Sequence, residues 1–185
     1  AQGGVCGHTE EQVGKARVMQ VRRGRSDATK EATAVRQLAE EIACDDALLT
    51  VFFCSSRYDL DALAGALQGA FRGPIMGCTT AGEIDAQRYH RGGIVGFSIA
   101  PSSAEPSGFC ADVQLVSGLG AFSPHAAMEL AQGARRRLEE RSTIPPGRRR
   151  GAFALTLIDG LSMLEEQTAA FVHEALHTTF GESHG

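Results

Sequence analysis

The chain has 185 residues, 43% apolar and 22% charged, enough for one domain around a sizeable core. Lysine and arginine number 18 against 22 aspartates and glutamates, a net charge of -4, which argues against a nucleic-acid binder. The longest apolar run, 47–54, is too short to cross a bilayer, and five scattered cysteines without a Cys-x-x-Cys pair read as reduced thiols of a cytoplasmic protein with no membrane contact.

In chain order, residues 1–25 read as a flexible or partly extended lead-in, with one strand at 15–21 and a solvated basic cluster, Arg22-Arg23-Gly24-Arg25. Residues 26–185 read as one ligand-binding domain. A helix over 29–42 shows an apolar stripe of Val35, Leu38, Ala39 and Ile42, with Ser26 or Asp27 to cap it. The near-continuous apolar run 48–54 suits a strand buried on both faces. A second helix follows over 59–71, then a short strand at 73–76. Strands are expected at 93–100 and at 109–116, the latter alternating with Asp112 and Gln114 turned to water. Ser123-Pro124 opens a helix to about 140. Residues 152–158 read as another buried strand, and Ser162-Met163-Leu164-Glu165 as a capping box opening a helix over 163–179. Helix–strand alternation with one antiparallel run gives an α/β (α+β) fold, a mixed, mostly buried β-sheet covered by helices.

The densest chemistry lies after the strand at 73–76. Gly77, Cys78, Thr79, Thr80, Ala81, Gly82 and Glu83 place two glycines, two hydroxyls, a thiol and a carboxylate together. Such a mixture at a strand end suits a small polar-lipped pocket; the alternative is a tight turn whose hydroxyls satisfy local backbone. Asp159-Gly160 either places a carboxylate beside that pocket or makes a turn of its own. Cys78 reads as a small buried hydrophobe or as a reactive thiol. His173-Glu174-Ala175-Leu176-His177 satisfies His-Glu-x-x-His, so His173 and His177 could hold zinc with Glu174 as base; the alternative is a wetted helix face. There is no Ser-His-Asp elbow and no phosphate loop.

The strand around Val51-Phe52-Phe53, the segment from Met76 through Glu83-Ile84, the strand Gly93-Ile94-Val95-Gly96-Phe97-Ser98, and Asp159-Gly160-Leu161-Ser162 with Glu165-Glu166 together resemble the FIST N-terminal domain of bacterial signal-transduction proteins. The likeness covers roughly residues 30–180. It implies a sensory domain, not an enzyme, that binds a small molecule and regulates a partner histidine kinase or cyclic-dinucleotide enzyme. One branch of the family implies haem and nitric-oxide sensing. In that case an axial ligand is needed, with His90 first, Cys78 second and His173 third. Family members continue past the Asp-Gly helix into a Gly-Gly-Ser-Ala-Gly-type segment and further strands, so a domain truncated at its C-terminal end is expected. The rival reading is a zinc-dependent hydrolase built on His173, Glu174 and His177.

Overall fold

The computed structural model describes residues 19–84, 89–101, 109–143 and 152–181. A four-stranded mixed sheet holds β1 (Met19–Ser26), β2 (Leu49–Ser55), β3 (Ile75–Thr80) and β6 (Ile94–Pro101), in the order β1-β6-β2-β3. β6 is antiparallel to both β1 and β2, whereas β2 and β3 run parallel. Two short strands, β4 (Glu83–Ile84) and β5 (Tyr89–His90), form a separate pair. The helices are α1 (Glu31–Ile42), α2 (Leu60–Ala70), α3 (Pro124–Arg141) and α4 (Glu165–Phe180).

The apolar stripes read from sequence make the first core. Ala34, Val35, Leu38 and Ile42 of α1 and Leu63 and Leu67 of α2 meet Cys54, Tyr58 and Ile94. On the helix side of the sheet, Phe52 lies opposite Gly77 of β3 and opposite Gly96 of β6. A Cβ on Gly77 would overlap the Phe52 ring and carbonyl. An aromatic this large fits mid-sheet because a strand neighbour has no side chain.

α3 and α4 form a hairpin with its own small core of Ala127, Ala131 and Ala175, packed by Phe122, Met128, Phe171 and Leu176. Small residues let the two helices approach closely, and neither core shares a residue with the other. No described helix is long and apolar enough to cross a membrane.

Several local expectations change. The first strand runs over Met19–Ser26 and carries the arginine cluster, because β6 offers it a full antiparallel partner; residues 15–18 lie outside the described residues. α1 starts after Lys30 with no side-chain cap, since the Ser26 hydroxyl is taken by the Ala28 N–H at 3.1 Å and by Gln37 at 2.5 Å. Asp59 and Ser123 do cap α2 and α3, accepting from Ala62 and Ala126. α4 starts at Glu165, not Met163. Met163 has φ +58, and the Ser162 hydroxyl turns back to the Asp159 carbonyl at 2.6 Å, so no capping box forms.

Residues 109–116 and 152–158 are not strands. Neither has a strand partner among the described residues, and a strand exists only in a ladder. The alternation expected at 109–116 also fails. Asp112 is the covered residue, its side chain 5% exposed, while Leu115 faces solvent.

Candidate functional site

β3 runs over Ile75–Thr80, not 73–76, so Gly77–Thr80 lie within the strand and Ala81–Glu83 follow at its end. The chain turns at Ala81-Gly82 and returns as β4, where Glu83 is 2% exposed. One Glu83 carboxylate oxygen accepts from the Thr80 hydroxyl at 2.9 Å, the other from the Gly93 N–H at 3.4 Å. The carboxylate thus ties the β3–β4 turn to the start of β6. Its backbone lies opposite His90 in the β4–β5 ladder.

The charge on Glu83 is felt one strand away. Burial, then Glu83, then Cys78 push the Cys54 thiol up from 9.0 to about 11. Burial first, then Cys54 and Glu83, push Tyr58 up from 10.0 to about 12; its hydroxyl donates to the Ala28 carbonyl at 2.6 Å. Burial also raises the Cys78 thiol. Both thiols therefore rest protonated at neutral pH and are poor nucleophiles.

Gly82 is where Tyr89 lies down. A Cβ there would overlap the phenol ring. Arg91 holds the outer side of that ring, its Nε donating to the Tyr89 hydroxyl at 3.1 Å and its guanidinium carbon 5.7 Å from the ring centre. The turn is thus covered by an aromatic from β5.

The structure brings Thr80, Glu83, Cys54, Tyr58 and Cys78 into one neighbourhood, with Thr79 and Ala81 exposed at its rim and Gly77 beneath Phe52. It does not bring Asp159 and Gly160 to that neighbourhood by any hydrogen bond among the described residues. Asp159 instead serves its own turn, its carboxylate accepting from the Leu161 N–H at 2.9 Å. His90 is placed by its backbone alone; its imidazole lies outside the described residues. His173 and His177 are exposed on α4 with ring centres 6.4 Å apart. Among the described residues no group of three or more histidine, cysteine or carboxylate side chains could hold a metal.

One feature was not expected from the sequence. A groove of about 450 Å³ runs between residues 114–122 and α3, lined by Val116, Phe122, Leu130 and Arg137 among others. Arg137 on its wall is held by Asp112, which Arg137 Nε reaches at 3.0 and 3.1 Å and Arg141 at 3.3 Å. The available signal was the i, i+4 spacing of Arg137 and Arg141 beside a carboxylate in an otherwise apolar run.

The chain matches the family model described as the FIST N domain over residues 48–181. That span takes in β2 through α4 and both sequence segments discussed above. No curated protein and no solved structure showed significant similarity to the chain.

Proposed function

The chain belongs to the FIST N family, a sensory domain of signal transduction, and from that premise we propose that it binds a small ligand bearing an ammonium or similar donor at Glu83. One observation carries this reading. A carboxylate is buried at a strand end, and neither lysine nor arginine pairs with it among the described residues. An ionised carboxylate accepts up to about four hydrogen bonds, and a cationic donor gains most there. Thr80 and Gly93 hold the carboxylate in place; the ligand completes its shell.

Access requires Tyr89 to leave Gly82. The β4–β5 pair is therefore the element whose position the ligand biases. The output is altered contact with a partner, a histidine kinase or a cyclic-dinucleotide enzyme, in the cytoplasm and without turnover. Membership of a sensory family supports that non-enzymatic role.

We prefer the amine reading to haem, whose first axial candidate, His90, has its imidazole outside the described residues and whose second, Cys78, is held as a thiol by burial. A Soret band on titrating haem into the protein, lost in His90→Ala, would reverse that preference.

The test is calorimetric titration of amine-bearing metabolites, amino acids first, into wild type and Glu83→Gln. Glutamine keeps the shape and an acceptor for Thr80 but loses the charge. Binding should weaken at least about tenfold. Tyr89→Ala should bind as tightly or tighter. Equal affinity in wild type and Glu83→Gln would defeat the reading.

A further inference from the structure

The two edges of the four-stranded sheet are unlike. β1 carries Arg22, Arg23 and Arg25, and charge of this kind keeps foreign strands off an exposed edge. β3 reads Ile-Met-Gly-Cys-Thr-Thr, with no charge and no proline, and its register with β2 is unbroken by any bulge. No strand pairs its outer side among the described residues. An uncharged, unbulged edge of six residues is built to be covered.

Residues 152–158 have the complementary deficit. They read Ala-Phe-Ala-Leu-Thr-Leu-Ile, uncharged throughout, the pattern of a strand buried on both faces. Yet Phe153 is 89% exposed, and no backbone hydrogen bond ties the segment to another described residue. Leu161 and Met163, just beyond, are also exposed. A seven-residue strand without a sheet and a six-residue edge without a strand match in length and in polarity.

We propose that residues 152–158 of one copy of this chain pair, parallel to β3, with the outer edge of β3 on a second copy, in a two-fold exchange. A second copy fits because the α3–α4 hairpin that carries the segment packs on a core separate from that of the sheet. It is offered to a neighbour without opening either core. Two-fold exchange covers both edges and both segments at once, which a one-way donation does not.

The parallel direction follows from chain order. The segment lies between two helices, as parallel strands do, and β3 is itself parallel to β2. That direction sets residue 158 beside the C-terminal end of β3. Asp159 and Gly160 of the partner subunit then reach the turn where Thr80 and Glu83 meet, so the partner copy contributes to the rim of the site. The pairing itself does not depend on ligand binding, and its tests use no ligand.

Size exclusion with light scattering on the chain should return a dimer at micromolar concentration. Thr156→Pro removes a ladder donor from a segment that makes no backbone bond within one copy, and should return a monomer with unchanged helix content. Thr79→Lys, at an exposed position on the accepting edge, should do the same. Mixing a Thr156→Cys, Cys78→Ser chain with one carrying native Cys78, with oxidised glutathione as the oxidant, should give a mixed disulfide between chains, mapped by mass spectrometry. A monomeric wild type would overturn the proposal. So would a dimer that survives both Thr156→Pro and Thr79→Lys, or, in a separate chain carrying Thr156→Cys with native Cys78, a disulfide formed within one chain.

Discussion

The phenol ring of Tyr89 occupies the space that a side chain on Gly82 would need. The chain has two tyrosines and no tryptophan, and the other tyrosine, Tyr58, is buried. Tyrosine emission that is open to a quencher therefore reports Tyr89. Gly82→Val should drive the ring off the turn and raise acrylamide quenching while leaving the far-UV spectrum unchanged. Quenching identical to wild type would show that the ring was never seated there.

Stability should fall in alkali, and Cys54 sets the window. In the unfolded chain its thiol ionises near 9.0; in the fold it keeps its proton to about 11. As pH rises the unfolded chain loses its proton first. The contribution present below 9.0 is thus progressively lost up to about 11. Tyr58 extends the same trend, from 10.0 to about 12. Urea midpoints for wild type and Cys54→Ala should converge between pH 8 and pH 10.5; parallel curves would refute the assignment.

Asp112 holds Arg137, a residue on the wall of the groove beside α3. Its carboxylate is covered while Arg137 and Arg141 stay partly exposed, so the pairs carry only part of a buried pair's energy. Asp112→Ala should cost about 1–2 kcal/mol, toward the low end of what hydrogen bonds to charged groups contribute, because the arginines are partly exposed. Arg141→Ala should cost less, because Arg137 still reaches both oxygens. Thermal unfolding of the three proteins decides this ordering.

Much of this architecture was legible in the chain, for physical reasons that also explain the failures. The stripes of α1 and α2 were readable because a helix buries every third or fourth residue whatever its neighbours do. Ser123 was readable as a cap because the acceptor and its amide are three residues apart. Residues 109–116 and 152–158 were misread because a strand is half of a pair, and the sequence shows only one half. The Gly77–Glu83 segment was recognisable as chemistry, but not the lid over it. Tyr89 meets Gly82 only once β4 and β5 align, and spacing in sequence carries no such information.

Gly77→Ala probes the sheet interior. The added methyl meets the Phe52 ring and carbonyl, and the carbonyl belongs to a ladder that cannot give way. The cost should be about 1–3 kcal/mol, as for other overpacked positions. A neutral result in chemical denaturation would mean that the strands can part at Phe52.

His173→Ala and His177→Ala should each change stability by no more than about 0.5 kcal/mol, as exposed helix positions do. Elemental analysis should find no stoichiometric zinc, and Glu174→Gln should leave any peptidase signal at background. One equivalent of zinc, lost in both histidine variants, would revive the hydrolase reading.

The pairing of β1 with β6 sets a clock on synthesis. Met19 meets Pro101 and Ser26 meets Ile94, so the first strand leaves the ribosome long before its only neighbour in the sheet exists. At about 5–20 residues per second, the ribosome needs roughly 4–15 s to go from the end of β1 to the end of β6. Late in that wait, once residue 80 is made, β2 and β3 can form a parallel pair with α2, while β1 still has nothing to join. The three arginines that guard its edge in the finished fold therefore also keep the waiting strand hydrated and apart from its copies on neighbouring ribosomes.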